Sequence, residues 1–548
     1  MSDTLAGLLT IGLLVVLLAL SHAPLGGYLA HVFTTDRHWR VERWIYRSTG
    51  VDERREQPWQ AYAAAVLAFS LCGFLAVLLL VVAQGWLPFH HGEGMDLDTA
   101  VNTAVSFVTN TNWQSYAGES GASQTVQAVG LTVQNFVSAA TGIAVVIAVV
   151  RAFARRESRL IGNFWVDLVR TVVRVLVPLA VVGGVLLVVA GVVQNLADPL
   201  QVTGVSGASQ SIPGGLVASQ EAIKELGTNG GGFFNANSAH PFENPNAISN
   251  LLEIFLMLVI PVALPRTYGL MVGDRRQGHA VMAFMATLWA GALAAITWAE
   301  VAASSGVAGS MEGKETRFGI WGSTLFAAST TGTSTGAVNS MHDSYSAAGG
   351  GAALAGMMLG EISPGGTGSG LYGALVLAIV AVFLAGLMVG RTPELLGKTI
   401  GRQEVTLVAL YLLVTPALVL AGTALSLVLP AGQAALLNSG PHGLTEMLYA
   451  FTSAANNNGS AFAGLSADQP YLNLMLAAAM ALGRFVPIVL VLVLAGRLAA
   501  QGRRPVTSGT MPTHTPLFVT LLLGVSVVVT LLTYFPTLAL GPIAEALS

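Results

Sequence analysis

Apolar runs of about 20 residues recur along the whole chain. In lipid, only segments that satisfy their own backbone hydrogen bonds survive, so a chain built this way is committed to a bundle of membrane-crossing helices. Just over half of the 548 residues are hydrophobic (53%) and only 10% are charged, too few to cover a soluble surface. The run from Leu5 to Leu20 has no basic segment before it and no clean small-residue cleavage site after it, and it reads as a retained span rather than a signal peptide. The single cysteine, Cys72, excludes an internal disulfide framework and a Cys-rich metal site. Its place in an apolar run predicts ordinary packing.

Basic residues give the topology. Arg37, Arg40, Arg43, Arg47, Arg54 and Arg55 form one cluster, and Arg151, Arg155, Arg156, Arg159, Arg170 and Arg174 a second. Three smaller clusters follow at Arg266, Arg275 and Arg276; Arg391, Lys398 and Arg402; and Arg497, Arg503 and Arg504. Together they hold 21 of the 25 lysines and arginines, with none between Arg55 and Arg151. Basic residues concentrate in cytoplasmic loops, so five clusters predict five inside loops. Spans then fall at 4–28, 61–84, 124–150, 174–195, 247–265, 279–303, 346–390 (broken), 404–430, 470–496 and 515–541, with both termini outside. A net charge of −3 gives no reason to expect nucleic acid. The expected surroundings are a lipid bilayer.

Four polar clusters interrupt this pattern, each after an apolar piece too short to cross. They are Thr109 to Gln114, Gly227 to Gly232, Thr333 to Val338 and Ala455 to Ser460. Their centres, Thr111, Asn229, Thr335 and Asn458, lie 118, 106 and 123 residues apart. One Gly- or Asn-rich cluster is an ordinary loop; four in register predict a duplicated membrane module. The expected fold is therefore an all-α polytopic membrane protein of ten transmembrane helices, with four span–pore helix–filter–span repeats around a pseudo-fourfold pore. The expected divisions are 1–60 (first span and cytoplasmic loop), 61–160, 161–275, 276–400 and 401–504 (repeats), and 505–548 (last span).

Irregular backbone at membrane depth needs protein or water to satisfy it. Four such turns around one axis can aim carbonyl oxygens at a central line, and rings of carbonyls replace the hydration shell of a potassium ion. Successive inward carbonyls require some positive φ angles, which glycine reaches without steric cost and asparagine tolerates. Gly230, Gly336 and Gly459 hold matching places in three turns, and Asn112 the place in the first. Each short helix would turn its negative C-terminal end toward the pore.

The stretches VSFVTNTNWQSYAGE, KELGTNGGGFFNANSAHPFENPN, TSTGAVNSMHDS and AFTSAANNNGSAFAGL resemble those of the potassium-binding component of the bacterial Kdp potassium-transporting ATPase. The resemblance covers nearly the whole chain. It implies a place in the superfamily that also holds Trk, Ktr and HKT transporters. It further implies three partners: the P-type ATPase KdpB, KdpC and the small KdpF. By match, the ion-coordinating residues would be Thr111 and Asn112, Thr228, Asn229 and Gly230, Ser334, Thr335 and Gly336, and Asn457, Asn458 and Gly459. Some relatives carry cysteine where this chain has Thr335.

Other residues have plainer readings. Phe233 and Phe234 are expected to pack, and Glu221 and Glu225 to lie with Lys224 on a solvated face. His342 and Asp343 read as a hydrogen-bonded pair bracing the loop after the third turn. Arg484 lies near the centre of the ninth span, where a charge costs about 2.5–3.5 kcal/mol and must face a cavity or a partner. By similarity to the superfamily it would guard the exit. The stretch 346–390 would measure about 67 Å as one helix, twice the bilayer core. Pro364, Gly365, Gly366, Thr367 and Gly368 break it beside Glu361, and predict a loop beneath the filter, with Gly365 and Gly366 as gating residues.

Two other classes are weighed. An enzyme would need a nucleotide-binding or metal motif, and no Walker A or HExxH sequence occurs. The inside loops are too short for a nucleotide domain. ATP hydrolysis is therefore expected on a partner, with no nucleotide on this chain and K+ as the transported ion. The alternative is a stand-alone Trk- or Ktr-like transporter or channel.

Overall fold

The computed structural model describes residues 3–89, 94–197, 199–304, 311–390, 392–505 and 510–547. Arg391, from the fourth basic cluster, lies outside the described residues. Among the described residues, ten helices are long and apolar enough to cross a membrane. They are Asp3–Thr34, Trp59–Val82, Val126–Ala154, Phe164–Val189, Ala247–Met271, Arg275–Ala303, Ser369–Met388, Arg402–Val428, Pro470–Ala500 and Pro516–Leu547. These are the first to tenth spans, and the chain is a multi-pass membrane protein. The stretch 346–390 is indeed broken: a shorter apolar helix, Ala347–Met358, precedes the seventh span, with a loop between them.

Four short helices, Leu97–Val108, Val217–Leu226, Gly319–Gly332 and Gly440–Asn456, each lie between two spans. In all four cases the span after the short helix is the better covered. Buried shares are 83, 72, 61 and 56% for the third, fifth, seventh and ninth spans, against 28, 39, 44 and 17% for the second, fourth, sixth and eighth. The inner spans are thus the third, fifth, seventh and ninth, and the first, second, eighth and tenth present their leucines and valines outward. Cys72 corrects the sequence expectation, because it lies on the exposed flank of the second span and not in a packed interior. An apolar run is apolar on every side, so its pattern does not say which flank meets lipid.

The basic clusters are less purely loops than expected. Arg170 and Arg174 lie inside the fourth span, which begins at Phe164 and not near 174. Arg266 lies inside the fifth span, and Arg275 and Arg276 begin the sixth. Arg170 donates to the carbonyls of Val32 (3.1 Å) and Thr35 (2.8 Å), and Arg174 pairs with buried Glu42. The helix extends through the arginines because the first loop folds against it and satisfies them. That loop contains a further helix, Arg40–Thr49, which the span pattern does not reveal. Its Trp44 and Val41 are exposed beside Arg43 and Arg47, the layout of a helix lying in a membrane interface.

His342 and Asp343 are not bonded to each other. His342 Nδ1 meets the hydroxyl of Tyr449 at 2.8 Å, while Asp343 accepts from His442 Nε2 at 2.9 Å. Both still brace the loop after the third turn, through residues of the fourth short helix that sequence distance hides. His442 Nδ1 also lies 2.8 Å from Glu545. The hydrogen bond to Asp343, reinforced by Glu545 against the opposing effect of burial, pushes the His442 imidazole up to about 9. A raised folded-state pKa means the clamp contributes fully below the ordinary histidine value of about 6.5 and is lost as pH climbs toward 9. The melting temperature of the purified protein is expected to fall by about 1–2 °C across that window. A His442→Gln variant should show a flatter profile, measured by a pH series of thermal unfolding curves.

Candidate functional site

Each short helix ends in a turn closed by the same bond. The N–H of Thr111 donates to the carbonyl of Ser106 (3.0 Å), Asn229 to Lys224 (3.0 Å), Thr335 to Thr330 (3.2 Å) and Asn458 to Ser453 (2.9 Å). In every case the acceptor lies five residues back. The residue before each centre is left-handed: Asn110 at φ 71°, Thr228 at 48°, Ser334 at 53° and Asn457 at 62°. A left-handed β-branched threonine is rare and needs outside support. Thr228 has it: its hydroxyl donates to Gly227 O and accepts from Thr367 N at 3.0 Å. The residue after each centre is also left-handed in three turns, at Asn112 (58°), Gly336 (83°) and Gly459 (107°). Gly230 departs from the expectation, and the positive angle of the second turn falls on Gly231 instead (72°).

What Gly230 supplies is room. A Cβ built on it would lie 2.5 Å from the carbonyl oxygen of Thr111, 2.8 Å from that of Asn458 and 3.0 Å from that of Thr335. Those three oxygens are the centres of the other three turns. A Cβ on Gly459 would lie 2.0 Å from Thr111 O, and one on Gly336 2.1 Å from Asn458 O. The four turns therefore meet around one point, with main-chain oxygens crowding it.

The side chains are mostly used elsewhere. Asn229 Nδ2 donates to Asn110 Oδ1 (2.9 Å) and Asn112 Oδ1 (3.1 Å), and Asn110 Nδ2 to Thr228 O (2.8 Å). Asn457 Nδ2 reaches Thr111 Oγ1 (3.0 Å), and Asn458 Nδ2 reaches Thr330 O (2.9 Å) and Glu361 (2.7 Å). The Thr335 hydroxyl bonds that of Thr333 at 2.6 Å. The asparagines thus lace the turns to their neighbours and leave carbonyls to face the centre.

Below the turns lies a cavity of about 120 Å³, whose lining includes Ser334, Asn457, Arg484, Tyr372, Tyr411 and Thr530. Arg484 is buried, and the described residues give it no ion pair. The loop 359–368 packs under the turns. Ser363 N (3.1 Å) and Gly365 N (2.8 Å) donate to Gly332 O, and Thr367 Oγ1 donates to Gly227 O at 3.0 Å. Glu361 bonds both Ser334 and Asn458. The loop and Arg484 meet at Gly142 on the third span, where a Cβ would lie 2.6 Å from Thr367 O and 3.2 Å from Arg484 Nη2.

The profile of the family described as "Potassium-transporting ATPase A subunit" matches residues 12–547. The chain belongs to this family. Among curated relatives it is 60% identical to the "Potassium-transporting ATPase potassium-binding subunit" of Kineococcus radiotolerans, covering 100% of this chain and 99% of the relative. It is 59% identical to the protein of that name from Streptomyces coelicolor, over 100% of both. Among solved structures, the crystal structure of the potassium transporter TrkH from Vibrio parahaemolyticus superposes with a TM-score of 0.51 at 12% identity. That match covers 77% of this chain and 84% of that one, and it shows a shared fold.

In this member of the family, the sequence-predicted residues of all four turns come together around Gly230. Gly365 and Gly366 lie in the loop beneath: a Cβ on Gly366 would meet Thr333 O at 3.1 Å, and one on Gly365 would meet the Gly370 Cα at 2.1 Å. Phe233 and Phe234 are buried and pack against each other. The assignment of Glu221, Lys224 and Glu225 to a solvated face is wrong, since all three are fully buried. The segment 233–244 folds back over the second short helix and brings Glu243 to Lys224. Sequence reasoning places Gln114 in the first polar cluster without a role, whereas its Oε1 accepts from Gly232 N at 2.9 Å; it misses Asn135, which bonds Asn112. Polar residues in the otherwise apolar third span, Gln134, Asn135 and Ser138, are the available signal.

Proposed function

We propose that the four turns form the potassium filter of an ATP-driven uptake pump, taking K+ from outside and passing it to a partner. The observation that carries this reading is the convergence of the Thr111, Thr335 and Asn458 carbonyls on Gly230. Fixed carbonyls stand in for the water that a potassium ion sheds. Asn229 ties Asn110 to Asn112, Asn457 holds the Thr111 hydroxyl and Asn458 holds Glu361, and these bonds keep the ring at one size. The four short helices and the four span pairs are repeats at 61–160, 161–275, 276–400 and 401–504, arranged with pseudo-fourfold symmetry about the pore. The first span (1–60) and the last (505–548) flank them.

The relatives carry the name of one component of a potassium-transporting ATPase, so ATP hydrolysis belongs to another chain. By the family resemblance the partners are the ATPase KdpB, KdpC and the small KdpF. Basic loops on the cytoplasmic side support a bacterial inner-membrane location with both termini outside. Ion binding by the complex purified with all its components tests the reading: K+ should displace bound Rb+ and drive ATP hydrolysis. The chain reconstituted alone should show no passive potassium flux, and a large passive flux would make it a stand-alone transporter.

Arg484 guards the inner side of the cavity. A unit charge acting over about 8 Å at an effective dielectric near 20 is worth roughly 2 kcal/mol, a factor of about 30 in passage of a cation. The Arg484→Gln complex should therefore leak potassium without ATP while remaining inserted. Wild-type leak rates in vesicles carrying that variant would make the arginine structural.

A further inference from the structure

Behind the second turn lies a buried charge cluster that the filter itself does not use. The Lys224 ammonium is 2.8 Å from Glu221, 3.6 Å from Glu225 and 3.9 Å from Glu243. Glu253 of the fifth span completes the ring, with Glu221, Glu225 and Glu253 oxygens within 4.8 Å of one another. All five side chains are buried at about 1% exposure or less. Three clustered carboxylates have the spacing of a metal site, but the lysine already supplies a cation there.

The lysine also reaches the filter. Its Nζ donates to Asn237 Oδ1 at 3.1 Å. Asn237 Nδ2 in turn donates to the carbonyl of Gly231, and the same Oδ1 accepts from Val338 N at 3.3 Å. One side chain therefore touches the second turn at Gly231 and the third turn two residues beyond Gly336. A second arm runs through Glu243, whose Oε1 accepts from Phe234 N at 2.6 Å. Asn237 is itself left-handed, at φ 55°, a posture that asparagine tolerates and most residues do not. The side chain is rigid because Oδ1 accepts from Lys224 Nζ, Ser238 N and Val338 N while Nδ2 donates to Gly231 O, so turning it would break four buried hydrogen bonds at once.

We infer that Lys224 and Asn237 are positioning residues for potassium selectivity: the buried ammonium fixes Asn237, and Asn237 holds the Gly231 carbonyl of the second turn and the Val338 N–H of the third. The inference rests on the filter reading above. It adds that ion discrimination depends on residues that never touch the ion.

The test uses the complete complex with Asn237→Asp, Lys224→Met and Lys224→Arg, beside Gly230→Ala. Asn237→Asp keeps size and left-handed tolerance but replaces the donor to Gly231 with an oxygen. The readout is the ratio of K+ to Rb+ in ATP-driven uptake, normalised to the amount of assembled complex. Asn237→Asp and Lys224→Met should each lower that ratio roughly tenfold, the size expected for one lost hydrogen bond near the ion. Lys224→Arg should recover part of it, and the Asn237→Asp/Lys224→Met double variant should be no worse than either single one, since both act along one path. Where Lys224→Met does not assemble, Asn237→Asp decides alone. A wild-type ratio for Asn237→Asp together with a changed ratio for Gly230→Ala overturns the brace and leaves the filter standing. Wild-type ratios for both overturn the filter reading and the brace with it.

Discussion

Replacing Gly230 with alanine is expected to lower potassium selectivity by about one to two orders of magnitude while the ten spans remain inserted, and aspartate is expected to abolish uptake at limiting potassium. The geometry gives the reason. A methyl group at this position would sit 2.5, 2.8 and 3.0 Å from the carbonyl oxygens of Thr111, Asn458 and Thr335. The first two contacts are shorter than real Cβ atoms make, and all three partners are backbone, which cannot swing aside as a side chain can. The three turns must then spread, and spreading a carbonyl ring by a few tenths of an ångström alters its match to a dehydrated potassium ion. A change of about 1.4–2.7 kcal/mol between competing ions corresponds to that 10- to 100-fold loss. Aspartate adds a charge and two oxygens at the most crowded point of the site. Folding should survive alanine, because Gly230 is not held in the left-handed region and the strain is confined to contacts across the centre. Growth on limiting potassium and rubidium competition in cells with normal complex levels measure the effect. Full selectivity in a well-assembled Gly230→Ala complex would remove the second turn from the filter.

The same residue shows how far sequence reasoning reaches. The four turn centres were legible because glycine, asparagine and threonine clusters follow apolar pieces too short to span, at similar spacing, and backbone chemistry in lipid leaves few uses for such segments. The break at 364–368 was legible from length alone. The reason for Gly230 was not. Sequence assigns it a positive φ by analogy with Gly336 and Gly459, whereas it serves by lacking a Cβ where three distant turns meet. The left-handed residues before each centre are asparagine in the first and fourth turns, Asn110 and Asn457, but threonine and serine in the second and third, Thr228 and Ser334, so no single residue type marks them. Lys224 with its two glutamates looks like a helical surface in sequence. It is buried because Glu243 and Glu253, 19 and 29 residues downstream, return to it. Arg170 and Arg174 look like loop residues for the converse reason, since their partners Val32, Thr35 and Glu42 come from a segment more than a hundred residues away. Charge placed in a membrane protein is read correctly only when its partners are known.

Shortening the loop at 364–368 is expected to open a passive potassium leak. On the proposed filter reading, ions would next enter the cavity lined by Ser334, Asn457 and Arg484. The loop is fastened to the turns themselves: Gly332 O holds Ser363 and Gly365, and Thr367 bonds both Gly227 O and the Thr228 hydroxyl. At its far end, Gly368 at φ 104° brings the chain against the third span, where a Cβ would lie 2.1 Å from Gly142 O. At this point loop and span meet backbone on backbone. The cavity extends sideways, reaching Tyr372 of the seventh span, Tyr411 of the eighth, and Ser526, Thr530 and Tyr534 of the tenth. The eighth and tenth are among the least covered spans, so the polar lining runs toward the outside of the bundle. A pump that accumulates potassium must block straight passage, and on the proposed reading a lateral route would deliver the ion to a membrane partner on that face. Removing Gly365 and Gly366 would pull Thr367 from the second turn and leave Arg484 as the one remaining barrier. Vesicles containing the complete complex should then lose a potassium gradient without ATP at least tenfold faster than wild type, and adding Arg484→Gln should increase the loss further, because the two obstacles act in series. A deletion variant that assembles normally and holds its gradient would show that the loop is no seal, and a gated straight pore would then replace the lateral route.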